Sequence, residues 1–438
     1  MIWRRSIVYG RGVVNYHGNS NGNCSINCRI NCRLKGVVRV TYLFVIFVVF
    51  VILSSLVCPA AVQPALAADL ITTDPATTIL AAADLTPKEK LGKLIFFDEQ
   101  LSEPKGQSCS VCHFPENGFN GVGDPNIAVY EGAVPGRFGF RNPPSSSYAS
   151  FSPQLHFVEE EDGYEGESGE YAGGQFWDGR AKDLTEQAKG PFLNPVEQNN
   201  PSGEEVARKV CQSSYADLFK EVYGLDACDD LSGAFDLIAD AIAAYEASGE
   251  SNRFSSKYDW YLKDPVKYSL SKKELCGLKL FNKKGNCASC HPSTAGPYTD
   301  RPLFTDYTYD NLGLPKNPDN PWYNMPPSFN PDGKDFIDYG LGKTVNDPAE
   351  NGKFKVPTLR NIGVAPPYGH NGLFKTLGEV IHFYNTAGIP GMWRSPEVPE
   401  NVNRTEMGDL GLTEEEENAL VAFLKTLTDG YVPPSGCP

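Results

Sequence analysis

Residues 109–113 read Cys-Ser-Val-Cys-His, and residues 287–291 read Cys-Ala-Ser-Cys-His. In such a pentapeptide the two thiols add across the vinyl groups of a haem, and the histidine is placed to ligate its iron. A single copy is also compatible with a zinc site or a redox disulfide. Two copies, each ending in histidine, predict two covalently bound c-type haems. The residues concerned are Cys109, Cys112 and His113 in the first copy and Cys287, Cys290 and His291 in the second.

The segments that precede the two motifs are also alike. Thr86 and Ser271 are each followed three positions later by a glutamate, which is the pattern of a capping box at the start of a helix. The repetition of helix and motif indicates that a haem domain has been duplicated. We therefore predict a mainly α fold of two cytochrome-c-like haem domains, with long loops and little strand. The expected domains are 68–252, with the first haem, and 253–438, with the second, after a leader at 1–67.

Other segments fit this fold class. Apolar residues at helical spacing predict a helix over 232–248, and Thr413 with Glu416 forms a further capping box before an apolar stripe. The segment 315–331 contains six prolines and is predicted to lack regular structure. Loops of this length in a compact domain are usually functional or wrap a cofactor, which suits a haem protein.

The N-terminal segment resembles an export signal. Residues 1–68 contain seven Lys or Arg and no Asp or Glu, and an apolar stretch spans 42–57. The sequence Ala65-Leu66-Ala67 then provides a cleavage site. The apolar stretch is short for a membrane span. These features predict export to the periplasm without a membrane span after cleavage, and a lipid on Cys58, with cell-surface association, is the alternative.

The charge of the chain limits its partners. It carries 54 acidic and 39 basic residues, a formal net charge of −15, and loss of the leader makes the charge more negative. An acidic surface disfavours nucleic acid and anionic membranes and suits a basic patch on a protein partner.

The sequence contains four cysteines that belong neither to the haem motifs nor to the leader. They are Cys211, Cys228, Cys276 and Cys437. Export makes disulfides expected, and three pairings are possible. We favour Cys211–Cys228 with Cys276–Cys437, because the first pair is local in sequence.

Several further motifs lie between and after the haem sites. Residues 173–181 read Gly-Gly-Gln-Phe-Trp-Asp-Gly-Arg-Ala, and residues 194–197 read Asn-Pro-Val-Glu. Residues 356–361 read Val-Pro-Thr-Leu-Arg-Asn, residues 367–372 read Pro-Tyr-Gly-His-Asn-Gly, and residues 376–384 read Thr-Leu-Gly-Glu-Val-Ile-His-Phe-Tyr. Together with the haem motifs, these strings resemble the bacterial dihaem cytochrome c peroxidases and their relatives of the MauG type. The resemblance covers nearly the whole chain after the leader.

This resemblance implies that hydrogen peroxide reacts at the first haem, with His113 as the proximal ligand. Peroxide cleavage needs an open iron position and a group that carries a proton between the two oxygens. Glu197 matches the family's distal acid/base, Gln187 matches the glutamine that orients the bound oxygen, and Pro191 matches a wall of the pocket. The alternative is that Glu197 and Gln187 are ordinary surface groups. His156 is an alternative blocking ligand, but no Gly-His-x-Trp pattern surrounds it, so we expect an open site.

The resemblance also implies which residue lies opposite His291. Tyr384 stands where the cytochrome c peroxidases carry methionine and the MauG type carries tyrosine. A neutral thioether stabilises ferrous iron and raises the potential, whereas an anionic phenolate favours the more oxidised states. Met392 is the competing ligand, and packing in the core is the competing role for Tyr384. His370 and His382 are expected to be structural or to lie beside the ligands.

Two further features are implied between the haems. Trp177 resembles the tryptophan that the family places there, where an indole relays charge by transient oxidation. The family also holds a calcium ion through an asparagine side chain and two backbone carbonyls. The matching residues are Asn142, Ala365 and Pro367, and oxygen ligands with water suit calcium.

These observations favour an exported dihaem oxidoreductase that reacts with hydrogen peroxide. A MauG-like enzyme would oxidise a protein side chain, such as a tryptophan, on a partner. The first alternative is a cytochrome c peroxidase that detoxifies peroxide with electrons from a small cytochrome c or a cupredoxin. A non-catalytic dihaem electron carrier is the alternative from another class, and it leaves Glu197 and Gln187 without a role.

Overall fold

The computed structural model describes residues 84–121, 123–159 and 169–434. Over these residues the chain is helical with long loops. The helices are α1 (Pro87–Phe96), α2 (Cys109–Cys112), α3 (Leu184–Leu193), α4 (Gly203–Cys211), α5 (Ala216–Tyr223), α6 (Leu231–Ala247), α7 (Lys257–Lys263), α8 (Lys272–Phe281), α9 (Leu341–Val345), α10 (Leu377–Thr386) and α11 (Glu414–Leu424). The predicted leader at 1–67, including Cys58, lies outside the described residues. In the part of the chain that is described, no helix is long and apolar enough to cross a membrane.

The core of the first half forms where α1 packs on α6. Gly92 makes this close approach possible, because a Cβ atom there would lie 1.8 Å from the carbonyl oxygen of Ala241. Helices α3 and α4 also pack against α6. The first haem motif follows α1, and Cys109 packs against the same core.

The second half repeats this arrangement with α8 and α11. A Cβ atom on Gly277 would lie 2.0 Å from the carbonyl oxygen of Ala419. A glycine thus allows two helix backbones to meet at the corresponding place in each half. This shared packing is the structural counterpart of the sequence repeat.

The three predicted capping boxes are confirmed. Thr86, Ser271 and Thr413 each accept a hydrogen bond from the backbone N–H of the glutamate three positions later. Each glutamate side chain in turn accepts one from the backbone N–H of its capping residue. These reciprocal bonds satisfy backbone donors that the first turn of a helix leaves unpaired, and so they fix where the helices before the haem motifs begin.

The helix predicted over 232–248 is confirmed as α6. The proline-rich segment is irregular apart from a 3-10 turn at Pro321–Asn324, so the prediction of no regular structure is wrong for these residues. The turn forms because proline suits the first position of a helix, and because the side chain of Asn320 accepts a hydrogen bond from the N–H of Trp322.

Strand is sparse in the described part of the chain. The antiparallel pairs are β1 (His156–Val158) with β2 (Glu170–Ala172), in which His156 lies opposite Ala172, and β3 (Tyr309–Asp310) with β4 (Phe354–Lys355), in which Tyr309 lies opposite Lys355. A bridge between Ala172 and Thr308 joins the two pairs across the halves. The predicted fold class, mainly α with little strand, is confirmed.

Cys211 and Cys228 form the predicted disulfide, which ties the end of α4 to the loop between α5 and α6. Cys276 is also disulfide-bonded. Its predicted partner, Cys437, lies outside the described residues. The domain boundary at 252 stays a prediction.

Candidate functional site

Each haem motif lines its own cavity. Cys109, Cys112 and His113 face a cavity of about 160 Å³ in the first half. The second motif faces a cavity of about 280 Å³. The walls of the two cavities share several residues, so the cavities are neighbours. The shared residues are Asn142, Pro143, Pro144, Ser145, Ala149, Gln175, Phe176 and Trp177.

His113 and His291 make the same contact with a backbone carbonyl. His113 Nδ1 lies 3.2 Å from the carbonyl oxygen of Phe119, and His291 Nδ1 lies 2.8 Å from that of Phe304. A carbonyl oxygen can only accept, so Nδ1 carries the proton in both rings and Nε2 keeps a free lone pair. Both phenylalanines have a left-handed backbone, with φ of 56°. The same local geometry therefore fixes the tautomer in each half.

Burial keeps both imidazoles neutral. It lowers the pKa of His113, and it lowers that of His291 to about 4. A neutral imidazole is the form that binds a metal. The motif cysteines are free thiols, and burial raises the pKa of Cys112 to about 12. Unpaired thiols beside a neutral imidazole fit covalent attachment of a c-type haem in each cavity.

The structure places the predicted peroxide-side residues together. Gln187 and Pro191 lie on α3 and Glu197 lies in the turn that follows, and all three line the first cavity with His113. Both Glu197 and Gln187 therefore have access to the first cavity, and their roles there stay predictions. Burial raises the pKa of Glu197, and Arg180 partly offsets that effect. A carboxyl group with a raised pKa holds a proton more readily, as an acid/base needs.

His156 does not line either cavity. It begins β1, and its Nδ1 lies 2.8 Å from the carbonyl oxygen of Gln154. The open first site stays a prediction.

The second cavity contains Tyr384 on its wall, contributed by α10. Met392 lies in the turn beyond α10, is 49% exposed, and is not part of either cavity wall. Met407, for which no role was predicted, is buried and lines the second cavity. Burial raises the pKa of Tyr384, and Cys290 and Asp310 raise it further. Without a metal beside it, the phenol keeps its proton.

His370 and His382, the other two histidines of the second half, lie at different distances from the second cavity. His370 is buried on the wall of the second cavity and stacks on Phe354, with ring centroids 3.6 Å apart. His382 is partly exposed, and its Nδ1 lies 3.1 Å from Glu417 Oε1. His382 is not part of either cavity wall.

Trp177 lies on the wall between the cavities. Its indole N–H donates to the carbonyl oxygen of Asn142 over 2.7 Å. The side-chain amide of Asn142 donates to the carbonyl oxygen of Pro367 over 2.9 Å, so a residue of the first half meets one of the second. Ala365 and Pro367 line the second cavity with Asn142. The predicted calcium ligands are therefore close together beside Trp177.

Comparison with known proteins agrees with this geometry. A family model described as di-haem cytochrome c peroxidase matches residues 86–267. The methylamine utilization protein MauG of Paracoccus denitrificans is 38% identical over 358 residues, which cover 77% of this chain and 88% of MauG. The chain belongs to the dihaem cytochrome c peroxidase and MauG family.

Other relatives support the same family assignment. The cytochrome c551 peroxidase of Nitrosomonas europaea is 30% identical over 341 residues, which cover 77% of this chain and 79% of that protein. The crystal structure of the diheme peroxidase BthA from Burkholderia thailandensis matches with a TM-score of 0.65 and 30% identity, over 80% of this chain and 90% of BthA. Membership of the family makes the protein a peroxidase-type oxidoreductase with two c-type haems, and the similarity to MauG supports the MauG-like interpretation.

The tertiary structure adds residues to the site of this dihaem peroxidase that the sequence did not single out. Arg141 pairs with Asp338 over 2.6 Å and with Asp178 over 2.8 Å, which ties the two halves together next to Asn142. Glu246 is buried on the wall of the first cavity, and burial raises its pKa to about 8. The Asp178 carboxylate belongs to the quoted 173–181 motif and also pairs with Arg180 two positions later over 2.8 Å, but its pair with Arg141 is long-range and had no local signal.

Proposed function

We propose that this dihaem peroxidase is MauG-like in mechanism and oxidises a side chain of a partner protein. Peroxide would react in the first pocket, and oxidising equivalents would pass by Trp177 to the second pocket. The observation that carries the proposal is the position of Tyr384 on the wall of the second cavity, with the competing Met392 exposed and outside it. A c-type haem in each pocket would supply the iron and the redox chemistry.

In the first pocket, this chain's residues would manage the proton of peroxide. Glu197 would take a proton from one peroxide oxygen and return it to the other, because its raised pKa suits both steps. Gln187 would orient the peroxide by a hydrogen bond, and Pro191 would limit the space around it. His113 would hold the haem iron through Nε2, because its Nδ1 is engaged with the Phe119 carbonyl.

In the second pocket, His291 and Tyr384 would hold the haem iron. A phenolate is a hard anionic ligand, so it stabilises oxidised iron and makes the pocket a store for oxidising equivalents. Trp177 lines both cavities and would carry oxidising equivalents from the first pocket to the second. Its hydrogen bond to the Asn142 carbonyl holds the indole in this position.

We further propose that calcium binds beside Trp177. Asn142 would provide its side-chain oxygen, and Ala365 and Pro367 would provide carbonyl oxygens, with water completing the shell. The 2.9 Å hydrogen bond from the Asn142 side-chain amide to the Pro367 carbonyl supports this proposal, because it brings the two groups together; the amide would turn to present its oxygen to the ion. Export to the periplasm, predicted from the leader, is part of the same proposal.

A second candidate function is a peroxide-scavenging cytochrome c peroxidase fed by a small electron-donor protein. The buried position of Met407 on the second cavity wall favours it, because a methionine ligand would raise the potential and let electrons enter. Under this alternative Tyr384 would be a neighbour of the haem and not its ligand.

Spectroscopy of the ferric protein separates the two functions. We expect one high-spin and one low-spin electron paramagnetic resonance signal, without the near-infrared band of a methionine ligand. One equivalent of peroxide should then produce a new near-infrared band without prior reduction. The Tyr384→Phe variant should change the low-spin signal, and the Met407→Leu variant should leave it unchanged. A methionine band that disappears only in Met407→Leu would establish the scavenging peroxidase instead.

A further inference from the structure

Tyr148 is a buried tyrosine on the wall of the second cavity, with 1% of its surface exposed. Its ring lies edge-on to the ring of Phe254, with centroids 4.8 Å apart. The guanidinium carbon of Arg360 lies 5.0 Å from the centroid of the same ring. These contacts hold the phenol beside the second pocket and away from solvent.

The hydroxyl group of Tyr148 faces a proton acceptor. It donates to Asp429 Oδ2 over 2.7 Å and accepts from the backbone N–H of Phe254 over 2.9 Å. Asp429 also accepts from the backbone N–H of Ser255 over 2.8 Å and from the side-chain amide of Asn361 over 3.1 Å. The last two bonds orient the carboxylate, so one of its oxygens stays directed at the phenol.

The other tyrosines on this cavity wall have no such acceptor within the described residues. The Tyr368 hydroxyl donates to the backbone carbonyl oxygen of Ile362 over 3.0 Å, and a backbone carbonyl is not a base. The Tyr307 hydroxyl is buried and makes no hydrogen bond with the described part of the chain. Tyr384 is already assigned to the haem iron. Tyr148 therefore differs from its neighbours in donating to a carboxylate.

This pairing matters for oxidation of the phenol. A phenol that loses an electron becomes a strong acid, so its oxidation is easier when a positioned base takes the proton at the same time. Burial raises the pKa of Tyr148, so the phenol keeps its proton until it is oxidised. The Arg360 guanidinium beside the ring disfavours a positively charged radical. Transfer of the proton to Asp429 avoids that charge.

We propose that Tyr148 is a redox-active tyrosine that gives one electron to the second pocket and its proton to Asp429. This inference rests on the proposed function, because hydrogen peroxide must first oxidise the haems. The phenolic O–H bond breaks, the electron reduces the second pocket by one equivalent, and a new O–H bond forms at Asp429 Oδ2. The product is a neutral tyrosyl radical beside a protonated carboxyl group.

The burial of Tyr148 defines what the radical can do. A buried phenol cannot touch a docked protein, so it stores an oxidising equivalent and does not deliver it. One hydrogen peroxide supplies two equivalents, of which Tyr148 takes one and the haems keep the other. When a reductant reaches the haems, one electron returns to the phenoxyl oxygen and the proton returns from Asp429.

Electron paramagnetic resonance of the holoprotein tests the proposal. Wild type, Tyr148→Phe and Tyr307→Phe are each mixed with one equivalent of hydrogen peroxide without a reductant and frozen at set times. Protein grown with ring-deuterated tyrosine identifies a tyrosyl radical, because deuteration collapses its proton hyperfine splitting. We expect this radical in the wild type and its loss in Tyr148→Phe. Tyr307→Phe is the matched control, since it removes an unpartnered hydroxyl from the same cavity wall, and it should keep the radical.

A second variant tests the proton acceptor. In Asp429→Asn the side chain keeps its size but cannot take the proton, so radical formation should slow by about 10²-fold or more. The control is Asp240→Asn, because Asp240 accepts from Tyr223 over 2.7 Å and neither residue lines a cavity. Asp240→Asn should form the radical at the wild-type rate. Radical formation in the wild type should also be slower in deuterium oxide, and this readout needs no variant to fold.

The outcomes separate this inference from the proposed function. If the haem spectra change but no tyrosyl radical forms, or the radical survives in Tyr148→Phe, this inference is overturned while the proposed function stands. A wild-type rate in folded Asp429→Asn, or the absence of an isotope effect, overturns the transfer of the proton to Asp429. If peroxide leaves the wild-type haem spectra unchanged, both proposals are overturned.

Discussion

At the scale of single residues, Glu197 is the side chain on which the peroxide chemistry depends most directly. Replacing it with glutamine keeps the size but removes the acid/base, so the peroxide reaction should slow by about 10²-fold or more. Stopped-flow absorbance of the haem bands measures this rate. Burial raises the pKa of Glu197 above the value of ~4.3 for an ordinary glutamate. As the pH is lowered, the wild-type rate should therefore begin to fall at a pH above ~4.3, because Glu197 becomes protonated there.

Glu204→Gln, on the exposed first turn of α4, is the matched control for this experiment and should react like the wild type. The wild type, Glu197→Gln and Glu204→Gln must contain equal amounts of haem for their rates to be compared. A Glu197→Gln variant with normal kinetics and a normal pH profile would exclude Glu197 as the acid/base.

At the scale of secondary-structure elements, the glycine at each helix crossing sets how closely two helices pack. Gly92→Ala would place a methyl group against the Ala241 carbonyl, so the helices must separate. The free energy of unfolding should fall by about 1–3 kcal/mol or more. In Gly378→Ala, at the start of α10, the nearest atom to the new methyl is 3.7 Å away, and this control should be neutral or slightly stabilising. Equal denaturation midpoints for the two variants would refute the packing argument.

A buried ion pair holds α7 to the loop after β4. Arg360 is fully buried, and its two terminal nitrogens lie 3.0 Å and 2.9 Å from the carboxylate oxygens of Asp259. Asp259→Asn would leave the guanidinium without its counter-charge and should destabilise the protein by about 3–5 kcal/mol in denaturant titration. The exposed pair of Lys189 and Asp236 is the control, because Asp236→Asn should cost less than about 1 kcal/mol.

The ion pair of Arg360 and Asp259 should also make the free energy of unfolding depend on pH. Burial alone would raise the pKa of Asp259, but Arg360 outweighs it and holds the pKa below its usual value. The folded state therefore binds this proton less readily than the unfolded chain. The stabilisation is present above the unfolded value of ~3.9 and is lost as the pH falls through the lower folded value. Asp259→Asn should remove this component of acid denaturation, and an unchanged acid transition would argue against it.

At the scale of the whole molecule, Trp177 connects the two halves. In Trp177→Phe, peroxide should still change the spectrum of the first haem, but the change at the second haem should be slower by about tenfold or more. Rapid-freeze electron paramagnetic resonance distinguishes the two haems. Trp322→Phe should behave like the wild type, because Trp322 packs in a separate cluster with Phe140 and Phe336. Simultaneous changes at both haems in Trp177→Phe would show that charge moves by another route.

Much of the architecture was set by local sequence. The C-x-x-C-H motifs, the capping boxes at Thr86, Ser271 and Thr413, and the apolar spacing of α6 each depend on residues a few positions apart. Their chemistry is therefore decided before the chain folds. The resemblance to the family predicted that Glu197 and Gln187 belong to one site. In the structure both residues line the first cavity.

Only the tertiary structure decided the long-range contacts. Met407 reaches the second cavity while Met392 does not, although Met392 is nearer to Tyr384 in sequence. Arg141 meets Asp338 across a separation of 197 residues. Local periodicity carries no record of such contacts, because they depend on how long loops pack around the two pockets. The sequence alone thus determined which chemistry the pockets can attach, and the packing of the two halves decided which side chains face each pocket.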